Sequence, residues 1–147
     1  MSRAYDISYR DEIVETQGRL FGRLERENPG CDGVDFISGY LRSATRAALD
    51  HAEPIRANLF PGELKARFLG EDGYVFKPGD AVDGLSADWL GQFYAYYQWA
   101  NGIDSRVLVD RLPVATMLAA YPGLHDLALP LAVERISNLQ PNQRTTP

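Results

Sequence analysis

One cysteine, Cys31, and two lysines, Lys65 and Lys77, are all that this 147-residue chain has of those types. A lone cysteine excludes an intramolecular disulfide and a cysteine metal cage. No apolar run approaches the ~20 residues that a bilayer-spanning helix needs. The first residues, MSRAYDISYRDEIVE, are polar and acidic and lack the apolar segment of a secretory signal, so a cytoplasmic protein is expected. A formal net charge of −5 weighs against nucleic acid and against attraction to anionic membranes. The excess of arginine over lysine reads as codon bias.

Catalytic motifs are scarce too. There is no glycine-rich loop ending in Gly-Lys-Ser/Thr, no Gly-x-Ser-x-Gly elbow and no His-Glu-x-x-His pair. The two histidines, His51 and His125 (the latter followed by Asp126), faintly echo an H…HD…D metal-phosphohydrolase pattern, but no later aspartate completes it. Cys31 lacks a basic activator and reads as a bystander thiol. No catalytic residue, metal ligand or cofactor is assigned, and the balance leans against an enzyme without closing that reading.

What is present is ordinary globular material, 45% hydrophobic and 24% charged, enough for one core. The expected domain is residues 1–139, with 1–7 as a loose start and 140–147, QPNQRTTP, as a disordered tail. Helical periodicity dominates. Ile13, Leu20, Phe21 and Leu24 mark a helix over 8–28, although Gly18 and Gly22 each cost about 1 kcal/mol of propensity, so that helix needs a packing partner. Ile37, Tyr40, Leu41, Ala44 and Ala48 mark a second, from about 32 to 50, unless Ser43 caps a fresh helix within it. Short helices follow at 54–59 and 63–69. Later ones are expected at 86–101, 106–112, from 113 to Pro122-Gly123, and 129–138. The predicted fold is an all-α single-domain bundle of about six short helices with one irregular, glycine-rich loop at 70–84. In that loop Tyr74, Val75 and Phe76 suggest an extended segment, half of a small hairpin, and its acids Glu71, Asp72, Asp80 and Asp83 suggest solvated carboxylates.

Aromatics concentrate in SADWLGQFYAYYQWANGI, which holds both tryptophans. At ~100° per residue Trp89, Phe93, Tyr96, Tyr97 and Ala100 share one face, expected to be core. Tyr94 and Trp99 fall outside that stripe. Tyr and Trp are favoured interface anchors, so those two are the leading partner-binding candidates. Tyr74 and Phe76 of the loop, and His125, complete the candidate set. Two other readings stay open: a small hydrolase-like enzyme using acids of the 70–84 loop with His125, and a DNA-binding regulator using 86–112 as a helix-turn-helix, with Arg106 and Arg111 on its second helix.

From Trp89 to Ile136 the chain resembles a family of small, uncharacterised bacterial helical domains. The resemblance rests on the aromatic helix FYAYYQW, the turn Gly102-Ile103-Asp104-Ser105, and the closing positions Tyr121, Leu124, His125, Ala132 and Ile136. Ala128 departs from it, standing where a Ser cap belongs. Genes for such domains tend to lie beside genes for ADP-ribosyltransferase-like toxins. The resemblance thus implies an antitoxin or immunity protein that occludes a partner toxin's active site.

Overall fold

In a computed structural model, residues 6–50 and 60–139 are described. The expected helix at 54–59 and the tail at 140–147 lie outside them. Among the described residues the regular elements are all helices, without a strand: α1 (Ile7–Gly22), α2 (Leu24–Glu27), α3 (Gly33–Leu41), α4 (Ala44–Asp50), α5 (Pro61–Gly70), α6 (Gly84–Asn101), α7 (Ser105–Arg111), α8 (Val114–Leu124) and α9 (Leu129–Asn138).

Local caps set most of these boundaries. Asp32 starts α3 by accepting from the Asp35 N–H at 3.0 Å. Ser43 does divide the run, after Leu41. Its Oγ accepts from the Arg46 N–H at 3.0 Å and donates to the Tyr40 carbonyl at 2.6 Å. Asp83 caps α6 through the Ser86 N–H and hydroxyl, at 2.9 and 2.8 Å, and these bonds hold its carboxyl below the usual range. Gly102 ends the same helix with φ 62°, a left-handed conformation that glycine adopts without a Cβ clash. Two boundaries differ from expectation. The 8–28 helix breaks at Arg23, and α8 runs through Pro122 to Leu124, where the missing donor lies in the last turn.

The aromatic helix α6 is the axis of the bundle. It packs along α1, and α7, α8 and α9 close the rest of its circumference. The α1–α6 contact is nearly backbone on backbone. A Cβ on Gly91 would lie 2.4 Å from the Gln17 carbonyl oxygen, and one on Gly18 would lie 2.8 Å from Gln92 Cγ. The glycines that weaken α1 as an isolated helix are thus what lets α6 approach it.

Because α6 is enclosed on several sides, the single-stripe reading needs correction. Phe93, Tyr94 and Tyr97 are buried, as are Leu90 and Ala95. Trp89 and Tyr96 are only half-buried, and Ala100 is exposed. Tyr94, expected at a free flank, is 1% exposed, and its hydroxyl donates to the Leu112 carbonyl at 2.5 Å. Helical periodicity finds one buried face; a central helix has more than one.

The 71–83 segment is a connector fastened to the α2–α3 turn. The Asp32 N–H donates to the Lys77 carbonyl at 2.7 Å and the Gly79 N–H to the Gly30 carbonyl at 3.0 Å, around an isolated Cys31–Pro78 bridge. The extended piece therefore pairs with residues near Cys31, and not within a hairpin of its own. Alternation is nonetheless clear: Tyr74 and Phe76 turn inward, Val75 and Lys77 outward.

Candidate functional site

The most polar part of the interior is built on α4. Arg46 is 0% exposed, yet its donors are matched: Nε to Gln17 Oε1 at 2.7 Å, Nη1 to Asp50 Oδ1 at 3.1 Å, Nη2 to Gln98 Oε1 at 2.6 Å. Gln98 in turn donates to Asp50, and Gln17 Nε2 to the Gly91 carbonyl at 2.8 Å. Charge, amide and backbone from α1, α4 and α6 thus form one satisfied network. A buried ion pair contributes little net stability, but removing one partner leaves an uncompensated charge. This cluster is enclosed and internally matched, a lock between helices.

Three further features were candidates in the sequence and prove to be structural. Tyr74 donates to Asp35 Oδ2 at 2.7 Å and stacks on Phe68, and Phe76 stacks on Phe36. Burial, then the Asp35 bond, push the Tyr74 phenol well above its ordinary value. The loop acids do not converge on His125. Glu71 pairs with Arg67, Asp72 accepts from the Ala44 and Thr45 N–H groups at the start of α4, and Asp83 caps α6. His125 ends α8 instead, its ring 4.7 Å from that of Tyr121 and its Nε2 3.2 Å from Asp126. The second helix of the helix-turn-helix reading faces the core. Leu108 and Val109 are buried, and Arg106 donates to the Arg42 carbonyl at 2.9 Å.

Trp99 keeps its candidacy. It lies half-buried at the end of α6, edge-on to Tyr96, with the Arg10 guanidinium 4.6 Å from its ring centre. Beside it α9 presents Leu131, 53% exposed. Tyr96, Trp99, Leu131, Val133 and Ser137 line a groove of about 370 Å³. A second groove, of about 340 Å³, adjoins it on α9 and adds Leu127 and Leu139. Leu131, Glu134 and Asn138, spaced i, i+3, i+7, belong to both and form the ridge between them. The five residues proposed from sequence therefore do not share a surface: Tyr94 is core, Tyr74 and Phe76 pack on α3 and α5, His125 caps α8, and only Trp99 lines this groove. Tyr96 and Leu131 were missed. Leu131 carried a signal, being the apolar residue of α9 that falls off the inward set Leu129, Ala132, Val133 and Ile136.

Among the described residues no group of His, Cys, Asp and Glu is arranged to hold a metal, and no helix is long and apolar enough to cross a membrane. No family model matches the chain, and no curated protein or solved structure matches it.

Proposed function

We propose that this chain is a non-enzymatic protein-interaction module, antitoxin-like, that neutralises a partner toxin by covering its active site with the Tyr96–Trp99–Leu131 face. The observation that carries the reading is the groove at the end of α6. There a tryptophan, a tyrosine and an exposed leucine stand together on two rigid helices. Aromatic anchors beside small pockets are where interface energy concentrates, because they remove much apolar area at little cost in conformational freedom. The resemblance to toxin-associated helical domains supplies the partner to try first, an ADP-ribosyltransferase-like toxin. Occlusion asks no chemistry of this chain, only a firm face, and the glycine-tight α1–α6 pair gives that face its rigidity.

Co-expression with the product of the adjacent gene, followed by co-purification, tests the reading. The wild-type chain is expected to suppress the partner's toxicity and purify with it. Trp99→Ala combined with Leu131→Glu should weaken that association by roughly thirtyfold or more, the loss of a hot spot of ~2 kcal/mol. An adjacent product that is harmless alone and does not co-purify ends the antitoxin reading.

A further inference from the structure

A groove of about 710 Å³ lies at the other end of α6 from Trp99. Arg19, Arg23 and Arg26, spaced i, i+4, i+7 along α1 and α2, form one wall. Leu85, Trp89 and Tyr121 supply the apolar part. Leu85, at the first turn of α6, is 79% exposed and opens onto the groove.

Several cations of the surface are already paired. Arg10, Arg42, Lys65, Arg67 and Lys77 each hold an acid of this chain. Arg19 has only Glu15, at 3.4 Å and exposed. Arg23 and Arg26 have no acidic partner among the described residues. The acids nearest them in sequence are committed elsewhere: Glu25 accepts from the Gly84 N–H at 3.2 Å, and Glu27 pairs with Lys65 at 3.0 Å. On the facing wall both oxygens of Asp83 are held by Ser86, and Asp88 accepts from Gln92. A chain of net charge −5 thus leaves Arg23 and Arg26 without an acidic partner among the described residues, beside an open apolar floor and across the groove from Asp83 and Asp88.

We infer that this groove is a docking site for an acidic peptide segment of a partner protein, one that sets carboxylates on Arg23 and Arg26 and a large apolar side chain between Leu85 and Trp89. Guanidinium groups take carboxylates in bidentate pairs, which gives register as well as attraction. The apolar floor then rewards a side chain that a bare polyanion lacks. A nucleic-acid backbone fits less well, since three arginines and no lysine line the groove. The site does not depend on the Trp99 face or on any toxin.

The test is amide chemical-shift mapping of the whole chain with a short peptide of alternating Glu and Ser around one central Phe. Its controls are the same peptide with Lys for Glu, the same peptide with Ala for Phe, and a single-stranded oligonucleotide. Shifts should centre on Arg19, Arg23, Arg26, Leu85 and Trp89, fall away with added salt, and vanish with the Lys peptide. Affinity should drop at least tenfold with Ala for Phe, with Leu85→Ala, and with Arg23→Glu plus Arg26→Glu. Arg111→Glu, on the exposed side of α7, should leave it unchanged. Absence of shifts at millimolar peptide, equal binding of the Lys peptide, preference for the oligonucleotide, or shifts traced to self-association would each overturn the proposal.

Discussion

Arg46 and the Arg23–Arg26 pair are the same side chain in opposite circumstances. Arg46 is closed off from water, and Gln17, Asp50 and Gln98 take up its donors. Arg23 and Arg26 face a groove, with no acidic partner of their own among the described residues. Burial with matched partners makes an arginine a positional lock, whose value appears only when it is removed. Exposure without partners makes it available for recognition. Neither role follows from the residue type, and both follow from what the neighbours have already committed.

The contrast can be broken first at its interior end. Arg46→Ala leaves the Asp50 carboxylate buried and opens a cavity, and is expected to cost about 3–5 kcal/mol in urea unfolding. Next, Gly91→Ala places a methyl against the Gln17 carbonyl and pulls α1 from α6, at about 1–3 kcal/mol. Tyr40→Phe should go the other way. The Tyr40 hydroxyl is buried without a hydrogen-bond partner among the described residues, so deleting it should leave stability unchanged or raise it by about 1 kcal/mol. At the groove end, Arg23→Glu with Arg26→Glu should move stability by no more than about 0.5 kcal/mol while abolishing acidic-peptide binding.

A pH profile sharpens the same division between interior and surface. Burial raises the Tyr40 phenol to about 12 and pushes Tyr74 and Tyr94 up as well. The unfolded phenols ionise first, near the ordinary 10.0, so the unfolded chain binds fewer protons than the folded one above that pH. Stability is therefore whole below pH 10 and is lost as pH climbs through the folded values. Tyr94→Phe should flatten that alkaline limb. Asp83 acts at the acid end with the opposite sign. Its lowered folded value gives stability that is present above 3.8 and lost as pH falls below it, and Asp83→Ala should remove that part of the acid limb.

Much of the fold was legible because its determinants are local. Caps at Asp32, Ser43 and Asp83 and the left-handed stop at Gly102 are read from neighbouring residues. The extended character of 74–76 is read the same way, but not the inward turn of Tyr74 and Phe76 nor the strand-like partner near Cys31, because nothing between residues 31 and 78 announces the pairing. Tyr94 was misplaced because periodicity assumes one buried face and α6 has several. Arg46 was invisible for a related reason: a charge in a helix ordinarily points to water, and its burial depends on Gln17 and Gln98 arriving from distant elements. Of the residues singled out from the sequence, Trp99, off the stripe, lines a groove. The arginine row stood in plain view at i, i+4, i+7, but its meaning depended on where Glu25 and Glu27 turn.

The central claim, that this chain holds one arginine locked inside and others free at a groove, is tested most directly by hydrogen exchange at the arginine Nε–H groups, followed by NMR on the wild-type protein. The Arg46 Nε–H, donating to Gln17 Oε1 in a side chain with no exposed surface, should persist and exchange only through opening of the fold. Those of Arg23 and Arg26 should exchange rapidly with solvent. An Arg46 signal that exchanges as fast as theirs would contradict the account.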